Sequence, residues 1–182
     1  MSAGRHRDAG FSMIEVLVSL VVICIGMLGM VAMQGRSVSY ANDALIRGNA
    51  AELAAELIEM MRSDPAAVRN ASTGLPLSSS GYYKTAGSAF PSAPSSCTSL
   101  TTLTASQRLG CWAARVRMSL PDSATLMTDE FHVCRTNGGG SCSSSGSAIE
   151  IQLAWRVKAG ECLDSDASGD TTVCRYRLRA EL

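Results

Sequence analysis

Seven cysteines, two histidines and one acidic loop hold most of the reactive chemistry in this chain. Six of the cysteines, Cys97, Cys111, Cys134, Cys142, Cys162 and Cys174, fall in the C-terminal half. That density fits an oxidising compartment and up to three disulfides. No CxxC occurs, which argues against a zinc ribbon or a thioredoxin-like site. Six cysteines admit many pairings. The expected set joins nearest neighbours, Cys97–Cys111, Cys134–Cys142 and Cys162–Cys174, each closing a short loop. In "DSDASGD", Asp164, Asp166, Ser168 and Gly169 fall where a calcium loop places its first ligands and its turn glycine, with Asp170 next. The bidentate Glu that should close such a loop is replaced by Arg175. A polar turn is therefore expected there, with no metal. His132 stands on a strand pattern and reads as structural. There is no GxSxG, P-loop or HExxH, so neither catalysis nor a cofactor is expected.

One further acid is out of place. Glu15 heads an apolar run with no charged residue from position 16 to 35. A carboxylate in a membrane span costs roughly 2.5 kcal/mol or more. Residues 16–33 make about 27 Å of helix, enough to cross a bilayer core. Arg5, His6 and Arg7 precede the run, so the N-terminus should stay cytoplasmic and the cysteine-rich half should face the oxidising side. A secretory signal peptide places its small-residue cleavage site after the apolar region, whereas Gly10 comes before it. Net charge is zero and pI is about 6.7, with no basic stripe that would mark a nucleic-acid partner.

The elements around these residues follow from periodicity. In "NDALIRGNAAELAAELIEMMRSDP", Leu45, Ile46, Ala50, Leu53, Ala54, Leu57, Met60 and Met61 keep amphipathic helical spacing. One helix is expected over residues 12–62, stopped by "SDP". Gly26, Gly29 and Gly35 weaken its middle and suit close helix packing. Residues 72–104 have loop composition, 21 of 33 being Ser, Thr, Gly or Pro. Tyr82, Tyr83 and Phe90 are the residues that would hold this loop to the rest. Thr104 and Gln107 fit a capping box opening a second helix before Pro121. "DEFHVC", "AIEIQLAWRV" and "TVCRYRLRAEL" read as strands, the last two with period-two alternation and one face solvated. Arg175, Arg177 and Arg179 share a strand face expected to be solvated.

"GFSMIEVLVSLVVICIGMLG" resembles the leader motif of type IV pilins and pseudopilins. The resemblance implies cleavage between Gly10 and Phe11 by a prepilin peptidase, N-methylation of Phe11, and an assembly role for Glu15. It implies an α+β type IV pilin fold: a leader (1–10), a transmembrane and assembly helix (11–35), its amphipathic half (36–64) and a head (65–182) with an antiparallel sheet. Glu15 lies four residues after Phe11, hence on the same helix face, and can meet its own amine or a neighbouring subunit's. "MRSDP", "RLGCWAARV", "EIQLAWRV" and "CRYRLRAEL" resemble PilV-type minor pilins, while residues 71–88 carry no motif of that group. That resemblance implies a structural subunit of a priming and tip complex. Its partners would be other minor pilins, the major pilin, the inner-membrane assembly machinery and a large tip adhesin. The head would be periplasmic before assembly and extracellular after it. A minor pseudopilin of a type II secretion system, a major pilin and a membrane-anchored periplasmic enzyme are the rival readings.

Overall fold

A computed structural model describes residues 12–138, 140–162 and 169–182. The protein is α+β: one long N-terminal helix and a three-stranded antiparallel sheet. Helix α1 (Met13–Arg62) is followed at once by a single turn, α2 (Pro65–Val68), with Pro65 at its first position. That placement suits proline, whose missing N–H is an orphan there anyway. Helix α3 (Ala105–Ser119) opens with a complete capping box. Gln107 N–H donates to Thr104 Oγ1 at 3.3 Å, and Thr104 N–H donates to Gln107 Oε1 at 3.0 Å. A one-turn α4 (Ser123–Leu126) precedes strands β1 (His132–Thr136), β2 (Ala148–Arg156) and β3 (Val173–Ala180), paired in that order.

By internal contacts the chain divides into a unit ending at Ser39 and a second, Tyr40–Leu182. The second unit holds the core. Ala50, Leu53, Ala54, Leu57, Ile58 and Met61 on α1 are buried, as are Leu109, Trp112, Ala113 and Val116 on α3. α3 runs antiparallel to this part of α1. Asn49 Nδ2 donates to Ser119 O at its far end, and Arg108 meets Asp64 at its near end. Between them Trp112 Nε1 donates to Leu53 O at 2.9 Å, and Arg115 pairs with Glu56.

Strand β2 departs from the alternating pattern. Every residue from Ala148 to Trp155 is buried, because β2 is central and both of its faces are covered. Ile149, Ile151, Leu153 and Trp155 belong to the apolar core. Glu150 and Gln152, read from sequence as solvent-facing, are buried under side chains and the β1–β2 connection. That connection bears on the end of β1: a Cβ on Gly146 would stand 2.3 Å from Thr136 N. The loop over residues 72–104 is likewise part of the fold. Tyr82 is fully buried, and Phe90 packs edge-on to Phe131 (centroids 6.2 Å) and tilted against Trp112 (6.0 Å).

Candidate assembly site

Helix α1 begins beside the predicted processing site. The expected leader, 1–10 with Gly10 at its end, and Phe11 after it lie outside the described residues. From position 12 to 35 every described residue is exposed within the chain. Large apolar side chains there range from 48% exposed at Val16 to 87% at Met13. Each is worth about 1.5 kcal/mol or more when fully buried. Over a dozen such residues, on the order of 20 kcal/mol depends on lipid or another protein covering them. By length and composition this helix can cross a membrane. Glu15 sits on this surface beside Ile14, Val18 and Val22. Its amide donates to Ser12 O at 3.0 Å, so the helix is already wound at the acid. Ser19, one turn on, donates its hydroxyl to Val16 O rather than to the carboxylate. Gly26, Gly29 and Gly35 have no atom within 4 Å of a Cβ position, so any close packing they allow is with another molecule. Cys24 is a free, exposed thiol on the same helix.

The head grips its part of α1 through polar pins as well as apolar contact. Asp43, 1% exposed, accepts from Trp155 Nε1 at 3.0 Å, and the Arg47 guanidinium stacks over the same indole at 5.6 Å. At the other end, Asp64 Oδ2 accepts from Arg108 Nη1 (3.2 Å) and Tyr82 Oη (3.3 Å), and Arg108 Nε donates to Leu100 O. Burial raises the Tyr82 phenol above its usual pKa, so it stays a donor. Three disulfides lie in the head: Cys97–Cys111, Cys134–Cys142 and Cys162–Cys174.

The polar face of the sheet is an internal network. His132 Nε2 lies 2.9 Å from Glu150 Oε1, and Gly140 N–H donates to Glu150 Oε2 at 3.1 Å. Arg175 grips Glu130 with two hydrogen bonds, at 2.7 and 2.9 Å, and Arg177 donates to Gln152 Oε1. The arginines are thus not a purely solvated row: Arg175 is half-buried in an ion pair, while Arg177 and Arg179 stay exposed. A His132 ring nitrogen and the sulfurs of Cys134 and Cys142 lie within 4.8 Å of one another. The sulfurs are spent on their disulfide and the ring on Glu150, which leaves no open ligand set there. Of the calcium candidates, Asp164 and Asp166 lie outside the described residues. Asp170 is taken by Arg156 Nη1 (3.0 Å) and by the Thr172 hydroxyl and amide. Those bonds, the hydroxyl first, hold its carboxyl down at about 2.

One residue escaped the reading of the sequence. Lys84, 3% exposed, donates through Nζ to Met127 O (2.7 Å), Thr128 O (2.6 Å) and Phe131 O (2.6 Å). Its backbone makes a two-way bridge with Val133 on the free side of β1. Burial pushes its ammonium down to about 8, against an opposing pull from Asp129. The signal was present: Lys84 is the only charged residue between Arg69 and Arg108.

Residues 5–31 match the family model of the prokaryotic N-terminal methylation motif. No curated protein and no solved structure matches the chain.

Proposed function

We propose that this chain, which carries the N-terminal methylation motif of type IV pilin-like and pseudopilin proteins, is a minor pilin of a type IV pilus, of the PilV type. It is made as a precursor and anchored in the inner membrane by the first half of α1, with its head in the periplasm. A prepilin peptidase cuts between Gly10 and Phe11 and methylates the new amine. The subunit then joins other minor pilins in a priming complex that starts the fibre, rides at its tip and supports a large adhesin there. Twitching motility and surface attachment follow from that place. Its part in the chemistry is as a substrate.

The observation that carries this reading is a methylation motif at the start of a helix whose apolar surface has no cover within the chain. Glu15 supplies the register. The amine at Phe11 and the carboxylate at Glu15 are both costly in an apolar medium, and pairing relieves much of that cost. A neighbouring subunit that docks at the right height brings its amine to Glu15, whereas one at the wrong height leaves two unpaired charges. The disulfide-closed head suits the oxidising side of the membrane.

Mass spectrometry of the N-terminus, in sheared surface fibres and in membranes, tests the reading. N-methyl-Phe11 in fibres, at a small fraction of the main subunit, is the expected result. A processed form confined to the membrane would point instead to a pseudopilin of a type II secretion system. An intact 1–10 leader in both fractions would overturn both readings.

A further inference from the structure

Strand β3 ends the sheet order, and among the described residues no strand pairs with its outer edge. It is eight residues long, with no proline and no bulge in its register against β2. An edge with an unbroken register and no partner strand among the described residues is a template for another strand. Its two faces differ. Cys174, Tyr176, Leu178 and Ala180 turn to the core, while Arg175, Arg177 and Arg179 share the other face. Arg177 and Arg179 are exposed and stand about 7 Å apart along the strand. The β1–β2 loop keeps room beside them with glycines: a Cβ on Gly140 would stand 3.1 Å from Arg177 Nη1, and one on Gly138 would stand 3.5 Å from Arg179 Nη1.

Charge decides who can use the edge. A second copy pairing antiparallel about Arg177 would set Arg177 against itself and bring Arg179 opposite Arg175, whose charge is already met by Glu130. Like charges directly opposite one another are destabilising. An incoming strand with acids at alternate positions meets the exposed Arg177 and Arg179 as partners. We propose that the outer edge of β3 is a docking site for an extended, acidic segment of a different protein, added to the sheet as a fourth strand. Main-chain hydrogen bonds supply the attachment. Arg177 and Arg179 set the register and reject copies of the chain itself. The proposal holds equally for a pilin and for a pseudopilin, since it depends on the head alone.

The test uses the full chain, disulfides intact, in zwitterionic detergent. The probe is a capped peptide as long as β3 that alternates Glu and Val. Controls are its Lys-for-Glu counterpart and a version N-methylated at alternate amides. Amide hydrogen exchange is read across the head. The Glu peptide is expected to slow exchange within Val173–Ala180, to bind about tenfold better than the Lys peptide, and to lose binding when N-methylated. The tenfold figure is what two cross-strand charge pairs supply. Arg177→Glu with Arg179→Glu should reverse the preference. Arg179→Glu alone, which leaves the Arg177–Gln152 bond in place, should narrow it if the double variant does not fold. No protection in β3, equal binding of the Glu and Lys peptides, undiminished binding of the N-methylated peptide, or pairing of the chain with itself through β3 would each overturn the proposal.

Discussion

Replacing Lys84 by Met keeps the length of the side chain and removes the ammonium. Three carbonyls then lose the ammonium, and Thr128 O keeps a second donor, the Gly87 amide at 2.8 Å. The Phe131 carbonyl belongs to a fully buried residue, while Met127 is half-buried and Thr128 is exposed. An orphaned buried acceptor costs about 1–3 kcal/mol. One full loss at Phe131 and one that water partly repairs at Met127, with Thr128 still bonded, give a destabilisation of about 2–3 kcal/mol at pH 7. The pH dependence is more specific. The Lys84 pKa is about 8 in the folded protein and 10.5 in an unfolded chain. Between those values the unfolded state holds more protons, so the stability of the wild type rises with pH. The ceiling of that rise is about 3 kcal/mol, and the three carbonyls, which favour the charged form, keep it below the ceiling. Lys84→Met has no such group. The gap between wild type and variant should therefore be flat up to about pH 7 and widen from pH 8 to pH 10. Tyr82 and Tyr83, both raised by burial, titrate later and are present in both proteins. Guanidinium unfolding in detergent at several pH values, followed by the fluorescence of buried Trp112 and Trp155, measures the gap. A variant as stable as wild type at pH 7, or a gap that stays constant through pH 10, would refute the reasoning.

Three other outcomes are expected. Glu15→Leu should insert and be cleaved normally but be nearly absent from sheared fibres by quantitative immunoblot; normal incorporation would remove the registration role. The double substitution Cys134→Ser, Cys142→Ser opens a loop with a separation of 8 residues and should lower the unfolding free energy from denaturant titration by about 2.5 kcal/mol. Gly146→Ala should cost about 1–3 kcal/mol by overpacking, since its Cβ would stand 2.3 Å from Thr136 N; hydrogen exchange should show β1 loosened rather than α3.

Much of the fold was legible because local signals agree with tertiary ones. The apolar run, the 3–4 spacing through Met61 and the Ser-Asp-Pro stop all favour one helix, and α1 ends at Arg62. The capping box at Thr104 and Gln107 satisfies backbone donors within four residues, so sequence alone reveals it. Glu150 and Gln152 misled because alternation says which residues share a face, not what covers that face. Glu150 meets His132 and Gly140, and Gln152 meets Arg177 and Glu130, all brought in by the fold rather than by neighbours in sequence. Arg175 misled for the same reason, since Glu130 lies 45 positions away. Lys84 was overlooked because a lone lysine in a Ser- and Gly-rich loop resembles any surface lysine. Only the convergence of three carbonyls from residues 127–131 makes it a strut. The apolar start of α1 and the position of Glu15 were plain in the sequence, since what they require lies outside the chain.

The placement of the crosslinks has a mechanical consequence. The three disulfides span separations of 14, 8 and 12 residues, and none includes a residue of α1. A pull along the helix is therefore passed to the sheet through apolar packing and a few polar latches: Asp43 to Trp155, Leu53 to Trp112, Asp64 to Arg108. These bonds are spread along the helix, so a tensile load shears them together rather than one after another. Covalent closure shortens the slack in the loops and leaves the coupling between shaft and head to non-covalent grip. The grip on the helix can therefore give way while every crosslink in the head stays closed.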